Sequence, residues 1–78
     1  MAKKKLTPEE TLLAIGERLK TLRIEKGFSS YEKFAWDNEI NRVQYYRMEK
    51  GANITIKSLL KVLVVYGMTL EEFFKGIE

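Results

Sequence analysis

The chain has 78 residues, 45% of them hydrophobic and 32% charged, with a formal net charge of +3. That composition suits one small folded domain, which buries only about 60% of its unfolded surface and has a modest margin of stability. It is too apolar for a disordered chain. Cysteine and histidine are both absent, which excludes disulfides, thiolate or imidazole metal sites and the usual general base, so neither a metal, a cofactor nor an enzyme is expected.

The positive charge is unevenly spread. Residues 41–61 hold Arg42, Arg47, Lys50, Lys57 and Lys61 against Glu49, a local net charge of +4. Such a stretch is either a solvated face or an attractor for a polyanion. No apolar run approaches the roughly 18 residues that span a bilayer; the longest is Val62 to Tyr66. Met-Ala-Lys-Lys-Lys at the N-terminus has no apolar signal core behind it. The expectation is a cytoplasmic protein with a flexible basic arm over residues 1–6 and a single domain over 7–78. The arm, with Lys3 to Lys5, either lies along a polyanion or serves as a solubilising tail.

The punctuation predicts five helices and no long linker, repeat or low-complexity stretch. Thr7-Pro8-Glu9-Glu10 opens the first, with Thr7 as cap, Pro8 at the first helical position and Glu10 closing a capping box. Leu12, Ile15, Leu19 and Leu22 follow at helical spacing, and Gly27 is the natural stop. Ser29, with Glu32 three residues on, predicts the cap of a short second helix whose apolar side is Tyr31, Phe34 and Ala35. Trp36, near its end, either anchors a partner surface or packs at the helix end. Asp37-Asn38-Glu39 leaves three or four residues to turn into the next helix, which is helix-turn-helix spacing.

The third helix is the most informative segment. Asn41 can cap it, Gln44 stands where a capping-box partner belongs, and Ile40 with Tyr45 forms a hydrophobic staple. Gly51 supplies the left-handed stop. At roughly 100° per residue, Tyr45 and Met48 point inward while Arg42, Val43, Tyr46, Arg47 and Lys50 point mostly outward. An outer face of donors and positive charge is what a helix needs to lie in the major groove of DNA. Arg42 and Arg47 are the candidate base readers, because a guanidinium can give two hydrogen bonds to guanine; the alternative is a surface or phosphate role. Val43 either meets a thymine methyl or is an exposed valine without a role. Tyr46 touches a base or the backbone, and Gln44 is divided between the capping box and DNA.

Ala52-Asn53-Ile54 is a loop, after which Thr55 caps a fourth helix carrying Ile56, Leu59, Leu60, Leu63 and Val64 and ending at Gly67. Its β-branched Val62, Val64 and Val65 would also suit a strand, but a lone strand has nothing to pair with. Thr69 with Glu72 forms a last capping box, and Met68 with Phe73 a staple, for a helix ending near Gly76.

In order and spacing these residues resemble the Cro/Xre-type helix-turn-helix family of bacterial and phage DNA-binding proteins. The resemblance covers Ile15 to Phe74. It is carried by Ile15-Gly16-Glu17-Arg18-Leu19, Leu22-Arg23, Gly27-Phe28-Ser29, Phe34-Ala35, Ile40-Asn41-Arg42, Met48-Glu49-Lys50-Gly51, Asn53, Thr55, Leu59-Leu60, Tyr66-Gly67 and Leu70-Glu71-Glu72-Phe73-Phe74.

It implies an all-α, lambda-repressor-like five-helix domain with the helix-turn-helix in helices two and three. The function it implies is a sequence-specific transcriptional regulator, in most cases a repressor, that is nucleoid-associated in a bacterial or phage setting. It also implies an ion pair between Arg23 and Glu49 that locks helix three onto helix one. Phosphate contacts are expected from Ser29, Ser30 and Tyr31 at the start of helix two, and from Lys50, Asn53 and Lys57 around the following loop.

Proteins of this kind bind as two-fold dimers, for which the C-terminal helix offers Leu70, Phe73, Phe74 and Ile77, some of them needed by the monomer core. No separate dimerisation or ligand-binding domain is expected. Two rival readings stand beside this one: an antitoxin-like protein whose main partner is a toxin, and a purely protein-binding helical module.

Three positions depart from the family pattern. Ser30 stands where glutamine usually follows the serine that opens helix two. Glu39 stands at the usual glycine of the turn, which leaves Asn38 as the expected left-handed residue. Ile54 replaces the usual proline before the fourth cap.

Overall fold

The computed structural model describes residues 6–77. Among them are five helices and no strand: α1 (Pro8–Glu25), α2 (Tyr31–Asp37), α3 (Arg42–Glu49), α4 (Ile56–Tyr66) and α5 (Leu70–Lys75). The all-α expectation holds, including the valine-rich segment, which forms α4. Lys3 to Lys5 lie outside the described residues.

Each helix begins at a side-chain cap. Thr7 and Thr69 form complete capping boxes with Glu10 and Glu72, and Asn41 and Thr55 accept from Gln44 N and Ser58 N. At α2 the cap is Ser30, which accepts from Lys33 N, and not Ser29. Burial decides this. Phe34 and Ala35 are fully buried, and Phe28 meets Phe34 edge-on at 5.4 Å. A cap contributes only about 1 kcal/mol, less than burying one aromatic side chain, so the start of the helix follows the rings. The residue after the capping serine is therefore Tyr31, so Tyr31 and not Ser30 stands where the expected glutamine would lie.

The helix-turn-helix turn corrects a second expectation. Glu39 takes the left-handed conformation, φ 55°, while Asn38 has φ −109° and donates its side-chain amide to Phe34 O at 2.8 Å. Ile40 N donates to Ala35 O at 2.8 Å, the six-residue closure of a Schellman motif. A glutamate there carries a steric cost that glycine avoids. Glu39→Gly is expected to stabilise the protein by about 1 kcal/mol, read as a higher urea midpoint with unchanged slope.

The core is Ile15, Leu19, Phe34, Ala35, Tyr45, Met48, Leu59, Val62, Leu63 and Phe73. Phe34 lies between two tyrosines, its ring tilted against Tyr45 at 5.0 Å and stacked on Tyr66 at 5.9 Å. On α4 the inward residues are Leu59, Val62 and Leu63, while Ile56, Leu60 and Val64 are exposed. Phe73 is fully buried, which removes it from the expected dimer surface. Gly16 lets α1 and α3 touch backbone to backbone, since a Cβ there would lie 2.8 Å from Met48 O. No helix among the described residues is long and apolar enough to cross a membrane.

Candidate nucleic-acid interface

α3 presents two faces. Tyr45 and Met48 are buried, and Arg42, Val43, Gln44, Tyr46, Arg47 and Lys50 are exposed. Rigid contacts hold the outer face in place. The Tyr31 and Tyr46 rings lie 4.9 Å apart, and Lys50 Nζ sits 5.4 Å from the Tyr46 ring centre. Tyr46 is thus held between the first residue of α2 and the end of its own helix.

Beneath this face lies a buried ion pair. Arg23 Nε donates to Glu49 Oε2 at 2.7 Å and Nη2 to Oε1 at 3.1 Å, a two-pronged contact. The remaining Nη1 donates to Phe28 O at 2.9 Å. The two side chains are only 6% and 7% exposed. The hydrogen bonds that Arg23 donates to Glu49 raise the Arg23 pKa against the opposing effect of burial. Burial, and then the neighbouring Glu49 carboxylate, pushes the Tyr45 hydroxyl well above its ordinary value, and Tyr66 is raised chiefly by burial. Raised from values already above neutral, Arg23 stays charged and Tyr45 and Tyr66 stay un-ionised near neutral pH.

The Gln44 side chain does not close the capping box. Its Nε2 donates to Ser58 Oγ at 2.8 Å, and Ser58 meets Thr55 Oγ1 at 3.0 Å, linking the start of α3 to the start of α4. Nothing local in the sequence points to Ser58, because a contact 14 residues away leaves no local signature. Glu32, expected as a capping partner, instead reaches Arg42 at 3.8 Å.

Of the expected phosphate-binding residues, Ser29 precedes α2, Ser30 caps it and Tyr31 is its first residue. The opening N–H groups of a helix have no partner within it. Lys50 follows α3, Asn53 is exposed in the loop, and Lys57 is exposed on the first turn of α4. Trp36 is 84% exposed, so it does not pack at the helix end. Leu70, Phe74 and Ile77 are partly buried against the core.

This arrangement supplies cationic and polar donors on one exposed helix, braced from behind. No family model matches the chain, and no solved structure matches it. The control protein C.MunI from Mycoplasma sp is 37% identical over 67 residues, covering 85% of this chain and 90% of that protein. With its helix-turn-helix and an outward-facing basic helix, the chain belongs to the control-protein family that C.MunI represents.

Proposed function

We propose that the protein is a sequence-specific DNA-binding transcriptional regulator of the Cro/Xre type, with α3 in the major groove. The observation that carries this is the outer face of α3: Arg42, Val43, Tyr46, Arg47 and Lys50 stand exposed on a helix anchored by the buried Arg23–Glu49 pair. Kinship with a control protein supports a regulatory role over a catalytic one. The mechanism is occupancy: a bound operator blocks, or less often recruits, polymerase.

In this reading Arg42 and Arg47 read guanines, Val43 meets a thymine methyl, and Tyr46 lies against a base or the backbone. Gln44, tied to Ser58, sets the angle between α3 and α4 and is a lesser candidate for base contact. Residues Ser29, Ser30, Tyr31, Lys50, Asn53 and Lys57 grip phosphate and set the register without specifying sequence.

The regulator acts as a homodimer on two half-sites about one helical turn apart. Its contact surface is the exposed stripe Ile56, Leu60 and Val64 on α4, with Leu70, Phe74 and Ile77 contributing their uncovered edges. A second copy fits that stripe because three aliphatic side chains at four-residue spacing form a self-complementary ridge. Val64 alone is 78% exposed.

The test is selection of bound sequences from a random duplex pool at about 150 mM salt, near physiological screening. A palindrome should be enriched. Arg42→Ala and Arg47→Ala should each relax one guanine preference, costing about 1–3 kcal/mol of discrimination. Enrichment of no sequence, with only salt-sensitive background, would assign the fold to a protein partner such as a toxin.

A further inference from the structure

Arg42 is the first residue of α3, and its Nη1 lies 3.8 Å from Oε2 of Glu32 on α2. Both side chains are more than half exposed, at 69% and 58%, so the pair adds little to stability. Its position carries the interest. A cation in the first turn of a helix faces the positive end of the helix dipole, and a carboxylate from the neighbouring helix offsets this.

The two helices are held firmly around the pair. The turn is closed by Ile40 N on Ala35 O, and the Tyr31–Tyr46 and Phe34–Tyr45 ring contacts join α2 to α3. Lys33, also on α2, is engaged by Asp37 at 3.2 Å. Glu32, Arg42, Lys33, Trp36 and Ile40 line one surface hollow.

On a face that meets DNA, a carboxylate repels phosphates and lowers affinity for any sequence. Beside a base-reading arginine it has a second effect. Guanidinium carries five N–H donors in a fixed fork, so Glu32 can engage one edge while the others face guanine. To reach a phosphate on an unrelated sequence, the arginine must leave Glu32.

We propose that Glu32 is a specificity-determining positioning residue, holding Arg42 toward the base edge and penalising its use as a phosphate clamp. The proposal rests on the reading of α3 as the base-reading helix. It makes discrimination, not affinity, the property that Glu32 serves.

The experiment measures binding of a duplex bearing the selected site and a scrambled duplex of equal length, for wild type, Glu32→Gln, Arg42→Ala and the double variant. Glu32→Gln is expected to tighten binding to the scrambled duplex by about twofold to fivefold, the reach of an exposed ion pair. Binding to the selected site should tighten less or weaken, so the ratio falls, with the loss centred on the base pair that Arg42→Ala relaxes. In the Arg42→Ala background, Glu32→Gln should leave the ratio unchanged.

Equal tightening on both duplexes in both backgrounds would reduce Glu32 to a remote negative charge and overturn the proposal, leaving the DNA reading intact. A fall in the ratio in both backgrounds, with a lower melting temperature, would make its role structural and overturn the proposal too. A wild type that prefers no sequence would overturn the DNA reading, and the proposal with it.

Discussion

Glu49→Ala is expected to destabilise the protein by about 3–5 kcal/mol, because it leaves the buried Arg23 guanidinium without its counter-charge. A chain of this size has a total stability of about 4–12 kcal/mol, so the loss consumes a large fraction of it. It corresponds to a fall in melting temperature of about 12 °C or more. The penalty comes from the stranded charge more than from the attraction lost. The double replacement Arg23→Met with Glu49→Leu should therefore recover most of the stability. Thermal and urea unfolding of the three variants checks this, and a Glu49→Ala protein melting with wild type would refute it. The pair also braces the outer face of α3, as Glu49 is the last residue of α3 and Arg23 belongs to α1. Glu49→Ala should accordingly weaken DNA binding although its side chain is not on the outer face.

The second large effect concerns salt. A protein that neutralises about six phosphates releases their counterions, and its affinity should fall roughly a thousandfold or more between 50 and 200 mM salt. Arg42, Arg47, Lys50 and Lys57 are exposed cations on α3, the loop after it and α4. The opening N–H groups of α2 add neutral donors that position without releasing ions. Lys50→Ala and Lys57→Ala should each reduce the slope of log affinity against log salt by about one, without changing the preferred sequence. Arg42→Ala and Arg47→Ala should alter the preference as well. A flat salt dependence would remove DNA as the partner and leave the protein-binding readings.

The number of helices, most of their ends and the inner and outer faces of α3 are legible in the amino-acid order alone. These are local properties. A cap, a left-handed glycine or a 3.6-residue apolar period acts within a few residues, so Thr7, Asn41, Thr55, Thr69 and Gly51 announce their roles directly. Local signals misled where burial overrode them. Ser29-x-x-Glu32 is the better capping box on paper, yet Phe34 and Ala35 set the phase of α2 and made Ser30 the cap. On α4 no face was legible from the apolar run alone, and packing placed Val62 inside and Ile56, Leu60 and Val64 outside.

Glu39 shows the reverse case. The chain must close on Ala35 O to aim α3, and the tertiary fold holds a glutamate in a conformation that its side chain disfavours. The contacts of Gln44 with Ser58, Glu32 with Arg42 and Gly16 with the end of α3 were decided only by tertiary structure. Each joins residues from different helices, and their meeting depends on interhelical distance and rotation, which no spacing within one helix encodes.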